Sequence, residues 1–188
     1  ASAVICSECP WFLQDLKKHW VENDIPNISI TNALFLRDLI KIKKPKRMLE
    51  IWTANGFSGI NFALELKKHD GVLTTIEFSK LSYDKAIENF KISWVEKNII
   101  AINWNALDEI PKLESWFDFV FIDWMKRRTK DFLELSWPKI NSWGVIIIDD
   151  VIKFREKMTW FWEYLDENKI KYNLIPIDID DGIVMIIK

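Results

Sequence analysis

From residue 46 onward the chain alternates between two kinds of stretch, and that alternation constrains its fold more than any other feature. RMLEIW (47–52), GVLTTIEF (71–78), NIIAIN (98–103), FDFVFID (117–123) and GVIIIDD (144–150) are short, almost uninterrupted apolar runs and read as strands. Between and after them, FSGINFALELKKH (57–69), LSYDKAIENFKI (81–92), KRRTKDFLELSW (126–137) and KFREKMTWFWEYLDENK (153–169) carry apolar residues at helical spacing. A strand that is apolar on both faces must be covered on both faces. The alternation therefore predicts an α/β fold, a doubly wound, Rossmann-like and mostly parallel sheet with right-handed crossovers. The end of the chain departs from this pattern. KYNLIPI and GIVMIIK flank the acidic turn DIDDG, an Asp-Gly hairpin signal, which predicts a C-terminal antiparallel hairpin and seven strands in all. Residues 1–45 read as an N-terminal helical segment, with helices near 11–22 and 31–42, in the same domain as 46–188.

A chain of 188 residues fits one domain, and 49% hydrophobic with 29% charged residues is a globular, soluble composition. The net charge of -2 argues against a strongly electrostatic nucleic-acid binder. No apolar run reaches the roughly 18 residues of a membrane span, and the start lacks a secretory pattern, so the expected compartment is cytoplasmic. Cys6 and Cys9 form a single CxxC without a second pair, which reads as two reduced thiols.

In open α/β sheets, ligands sit beyond the carboxyl ends of the strands. The first strand carries Glu50 near its end and leads into a turn with Asn55, Gly56, Ser58 and Gly59. The second ends at Glu77, roughly 20 residues past that turn, where an acid can accept both hydroxyls of a ribose. The turn lacks a full G-x-G-x-x-G, so a shorter adenosine cofactor fits better than a dinucleotide. Asp123, Asp149 and Asp150 come from two further strand ends and would converge in one crevice. Three such carboxylates repel one another unless a cation joins them, and oxygen ligands suit Mg²⁺ or Ca²⁺. Taken alone, Asp-Asp after a strand also reads as a turn and helix cap. Lys126, three residues past Asp123, can point into the same crevice and act as a general base if its pKa is depressed.

RMLEIWTANGFSG, then TTIEFS, FDFVFIDWMK and GVIIIDDV, together resemble the class I S-adenosylmethionine-dependent O-methyltransferases, in the branch of catechol O-methyltransferase and its bacterial relatives. The likeness runs over about residues 30–188. It implies methyl transfer from S-adenosylmethionine to the hydroxyl of a small-molecule acceptor. By that resemblance Glu50 and Ser58 hold the methionine end of the cofactor, Gly56 lets the backbone approach, and Glu77 holds the ribose. Asn105 and Ala106 flank the adenine, with Trp124 beside it. Asp123, Asp149 and Asp150 take the positions of the family's metal ligands, a divalent cation such as Mg²⁺ being implied, with Asp150 standing where the family has Asn. Lys126 takes the position of the lysine that deprotonates the acceptor. Two other readings stay open: a tRNA hydroxyuridine methyltransferase, favoured by the basic run at 126–130, and a non-catalytic protein of the same fold. The resemblance also implies a homodimer as one assembly.

Average usage of about 7% glycine would give roughly 13 here, and the chain has 5, against 11 tryptophans. Trp52, a position that belongs to the cofactor-binding turn, and Trp94, Trp104, Trp124 and Trp143 all fall where the family pattern has glycine; Trp160 is a further candidate. Aromatic packing suits Trp11 or Trp162 but suits positions 52 and 104 badly. The expectation is a systematic replacement of Gly by Trp, by one of two routes: a gene whose own code reads UGA as glycine translated with UGA as tryptophan, or deliberate design.

Overall fold

The computed structural model describes residues 18, 27–114, 116–123 and 125–188. Cys6, Cys9, Trp11, the helix expected near 11–22 (Lys18 apart) and Trp124 lie outside these residues. Seven strands form one sheet in the order β3-β2-β1-β4-β5-β7-β6. They are β1 (Arg47–Ile51), β2 (Val72–Glu77), β3 (Ile99–Asn103), β4 (Phe117–Ile122), β5 (Ile140–Ile148), β6 (Asn173–Pro176) and β7 (Gly182–Ile187). β1 pairs in parallel with β2 and β4, β2 with β3, and β4 with β5. β7 runs antiparallel to both β5 and β6, as the DIDDG turn predicts.

Six α-helices are described: α1 (Ile30–Lys43), α2 (Phe57–Leu66), α3 (Lys80–Ile92), α4 (Ala106–Glu109), α5 (Thr129–Ser136) and α6 (Thr159–Glu167). Side chains short enough to reach back start several of them. Ser29 accepts from Asn32 N at 2.9 Å and Ser79 from Ser82 N at 3.3 Å, each satisfying an orphan first-turn donor. The sheet separates two cores. One holds Leu36 and Ile40 of α1 with Phe62 of α2 and Phe90 of α3; the other holds Phe132 and Leu133 of α5 with Phe161 and Leu165 of α6. Burial on both faces is why the central strands lack a polar side.

Two local features govern the crevice. A buried ion pair, Arg37 Nε to Glu65 Oε1 at 2.8 Å, fastens α1 to α2. It holds the N-terminus of α1 at the carboxyl end of the sheet. β5 also begins earlier than its apolar run suggests, at Ile140. Its register with β4 jumps between Phe117↔Ile140 and Phe119↔Val145, so Asn141–Gly144 form a bulge, exposed at Ser142 and Trp143, that no hydrophobic pattern could reveal.

Candidate active site

The strand ends are stitched together by backbone hydrogen bonds just above the sheet. Asp123 N donates to Ile51 O at 3.4 Å, Asp149 N to Ile122 O at 3.0 Å, and Trp52 N to Ile76 O at 3.0 Å. This brings Glu50, Glu77, Asp123 and Asp149 to one crevice, as the sequence predicts, and all four are buried.

On the β1–β2 side the acids meet neutral donors. Glu50 accepts from Ser58 Oγ on one oxygen and from Thr75 Oγ1 at 2.6 Å on the other. Thr75 Oγ1 in turn lies 2.6 Å from Thr53 Oγ1. Burial pushes the Glu50 carboxyl up to about 8, and the two hydroxyl donors oppose that only in part. Glu77 accepts from Ala54 N at 2.8 Å and from Ser79 N at 2.8 Å, tying the first turn to the second. Burial also raises its pKa, against the pull of its backbone donors. Gly56 has φ +91, and a Cβ there would stand 2.6 Å from a Phe90 ring carbon, so the turn cannot carry a side chain at that point. Beside it Asn55 is 6% exposed with neither side-chain amide atom partnered. A buried polar group left unmet in this way suits a polar ligand at the turn. These features fit the methionine and ribose parts of S-adenosylmethionine.

On the β4–β5 side the acids meet a cation. Lys126 Nζ donates to Asp123 Oδ1 at 2.6 Å and to the Asp149 carbonyl oxygen at 3.0 Å, and stands 3.2 Å from Asp150 Oδ2. The depressed pKa on which a general-base role for Lys126 depends is not what this environment favours. Burial does push Lys126 down, but the charges of Asp123, Asp150 and Asp149 outweigh it and carry it up to about 12. The ammonium is the form present at neutral pH. The carboxyls of Asp123 and Asp149 are raised by burial, and burial takes Asp150 to about 6. Three carboxylates are a suitable donor set for a hard divalent cation. Their arrangement here does not fit one: among the described residues no three acidic, His or Cys side chains gather around a common point. The Lys126 ammonium occupies the space between Asp123 and Asp150.

Two residues at this end escape sequence reasoning. Asn32 Nδ2 donates to Asp149 Oδ1 at 2.8 Å across 117 residues. No local pattern marks it, because α1 is placed there by tertiary docking, through Leu36 and Ile40 in the core and the Arg37–Glu65 pair. Asp181 Oδ1 accepts from Ile152 N, Lys153 N and Gly182 N at 3.0, 3.2 and 2.7 Å, pinning the loop after Asp150 onto the C-terminal hairpin. Its place in DIDDG was visible in the sequence; its partners were not.

Two cavities open on the crevice. One, of about 320 Å³, is mainly apolar and is lined by Ile51, Ile76, Phe78, Asn105 and Ala106 among others. Asn105 also caps α4, accepting from Leu107 N at 3.1 Å. The second, of about 390 Å³, is lined by Asp123, Lys126, Arg127, Asp150, Phe154 and Lys157. Trp52 and Met125 line both. The first has the size and apolar walls for an adenine, and the second holds the charged cluster.

A family profile described as O-methyltransferase matches residues 4–188. An Arabidopsis thaliana protein named as a caffeoyl-CoA O-methyltransferase is 30% identical over 130 residues, covering 68% of this chain and 56% of the relative. A flavonoid 3',5'-methyltransferase of Vitis vinifera is 26% identical over 143 residues, covering 73% and 59%. The chain thus spans somewhat more than half the length of these curated relatives. Among solved structures, an O-methyltransferase from Bacillus cereus in complex with SAH superimposes with a TM-score of 0.87 at 22% identity, covering 98% of this chain and 94% of that one. No described helix is long and apolar enough to cross a membrane.

Proposed function

Because the chain belongs to the O-methyltransferase family, we propose that it transfers a methyl group from S-adenosylmethionine to a hydroxyl of a small-molecule acceptor. The observation that carries this reading is the division of the crevice. A mainly apolar cavity suited to the base of the cofactor abuts a charged cavity suited to an oxygen nucleophile. S-adenosylmethionine, when bound, would supply an electrophilic methyl on a sulfonium: the S–CH₃ bond would break as the O–CH₃ bond forms, S-adenosylhomocysteine would leave with the sulfur electron pair, and the acceptor hydroxyl proton would pass to water.

The residues divide the work. Glu77 accepts the ribose hydroxyls with lone pairs its backbone donors leave free. Asn55, Gly56 and Ser58, over the Glu50 carboxyl, frame the methionine end, and Asn105 and Ala106 contact the base. Lys126 stands at the acceptor oxygen. As an ammonium it stabilises the developing oxyanion, a role that needs a positioned charge and no depressed pKa. Asp123 and Asp150 hold that ammonium in place.

Arg127 and Lys157 at the mouth of the second cavity, with Lys153 and Arg155 on either side of Phe154, make no ion pair among the described residues. Lys153 and Lys157 lie over the Phe154 ring and Arg155 over Trp162. A cationic rim on a chain of net charge -2 suits an acceptor with an anionic arm. It also favours the second reading, a hydroxylated tRNA nucleoside. The test is transfer of a labelled methyl group to hydroxyl acceptors that include small phenols, acyl thioesters and tRNA, with this chain and with Trp52→Gly. Label appearing on an acceptor oxygen is expected. A folded protein that binds S-adenosylmethionine and labels none of them would overturn the reading.

A further inference from the structure

Among the described residues, ten that are not glycine have positive φ, and four of these are tryptophan: Trp52 (φ 89), Trp94 (φ 55), Trp116 (φ 88) and Trp143 (φ 64). For a bulky side chain that region is an outlier, whereas glycine enters it freely. Trp52 and Trp116 lie within three degrees of Gly56 at φ 91, the only positive-φ glycine among the described residues.

Two of the four sit in backbone devices that glycine normally fills, and the other two turn the chain at the ends of strands. Trp94 closes α3: its N–H donates to Lys91 O at 3.1 Å while Val95 N–H donates to Phe90 O at 3.1 Å. That pair of bonds defines the C-terminal cap whose central residue is usually glycine. Trp143 lies in the β5 bulge, donating to Lys188 O at 2.6 Å beside Gly144. Trp116 turns the chain into β4, donating to Lys139 O at 2.8 Å. Trp52 turns it out of β1 into the cofactor loop. Nor do three of the indoles gain by packing: Trp94, Trp116 and Trp143 are 83%, 68% and 76% exposed. Trp162 is the contrast, in a helix and edge-on to Phe161 at 4.9 Å between ring centres.

We infer that positions 52, 94, 116 and 143 are glycine in the protein its own cell makes. A single reassigned codon, UGA, put tryptophan there, and Trp52 is a partition that divides one ligand cleft into the two cavities it lines. One kind of replacement repeated at four structurally unrelated turns is the mark of one codon read two ways, because independent substitutions would vary in kind. Trp116 joins the set only through its backbone, since the family pattern does not mark it. Trp104, expected in the set, is not at positive φ, so its backbone gives no such argument.

The partition rests on the proposed function; the backbone argument does not, and the tests separate them. Replacing Trp94, Trp116 and Trp143 singly by Gly, far from any ligand, should raise the melting temperature by about 1–4 °C each. Trp162→Gly should lower it. No rise at two or more of the three positions overturns the glycine assignment. In the source gene the four codons should read UGA, and UGG at two or more overturns the route. By calorimetry, Trp52→Gly should bind S-adenosylhomocysteine at least about tenfold more tightly than the parent chain. Equal affinity overturns the partition and leaves the stability result standing.

Discussion

The crevice has two sides, and each buries acids by a different means. On the β1–β2 side, Glu50 and Glu77 are held by hydroxyls and backbone N–H groups, all neutral donors. On the β4–β5 side, the carboxylates of Asp123 and Asp150 and the backbone carbonyl of Asp149 surround one ammonium, while the Asp149 carboxylate accepts from Asn32. Neutral donors orient a carboxyl without cancelling the cost of its charge, so Glu50 rises to about 8 and is mostly uncharged at neutral pH. An ammonium cancels charge but makes the cluster depend on one residue. The first side is therefore suited to shape and hydrogen bonding, the second to handling charge as it develops. Removing a group should hurt binding on one side and chemistry on the other.

The largest expected effect is at Lys126. Lys126→Met should lower kcat/KM by about 10²–10⁴-fold, the range for a positioned charge or proton carrier in a transition state. Affinity for S-adenosylhomocysteine should stay within about threefold. The protein should also lose stability, because buried carboxylates left without their cation cost about 3–5 kcal/mol. Lys126→Arg, which keeps the charge, separates the two losses: recovered melting temperature with activity still low is the expected pattern. Full activity in a folded Lys126→Met protein would erase the contrast between the sides.

Glu77→Gln comes next and should move the opposite parameter. Losing a charge-assisted acceptor to the ribose costs about 1.5–3 kcal/mol, or about 10–100-fold in cofactor affinity, with kcat at saturating cofactor changed little. An unchanged cofactor affinity would leave Glu77 only the task of tying Ala54 to Ser79. Measuring both constants for both variants shows whether binding and chemistry divide as the geometry does.

How much of this was legible in the sequence follows from how local each feature is. The strand ends could be read because an acid closing an apolar run stands out: Glu77, Asp123 and Asp149 all lie in the crevice. Glu50 and Ser58 flank one short turn, so both could be read as members of one site, although the bond between them could not. Asn32 was not, because its reach to Asp149 depends on the tertiary docking of α1, through Leu36 and Ile40 in the core and the Arg37–Glu65 pair. The direction of the Lys126 shift was also hidden. Position in the chain fixes that it enters the crevice, whereas its pKa depends on where three carboxylates point once folded. Trp116 shows the same limit at the level of the backbone. Nothing in ESWFDF marks residue 116 as left-handed; the bond from its N–H to Lys139 O does.

The smallest effect sharpens the comparison from the neutral side. The Glu50 carboxyl titrates at about 8 in the folded protein, against an ordinary 4.5. Across that window the native state holds a proton that the unfolded chain releases. Stability therefore falls as pH rises from about 4.5 and the loss is complete above about 8. Glu50→Gln removes the titration while keeping a planar side chain, with an oxygen for one of its two hydroxyl donors. Melting curves from pH 5 to pH 9 should converge at the acid end less favourably for the variant, which loses one hydrogen bond there. At the alkaline end the variant should gain in melting temperature relative to the parent, whose buried carboxyl is ionised there. Curves that stay parallel across the window would mean that Glu50 is ionised throughout. A compensating charge would then have to reach it, and the two sides of the crevice would be burying their acids by the same means.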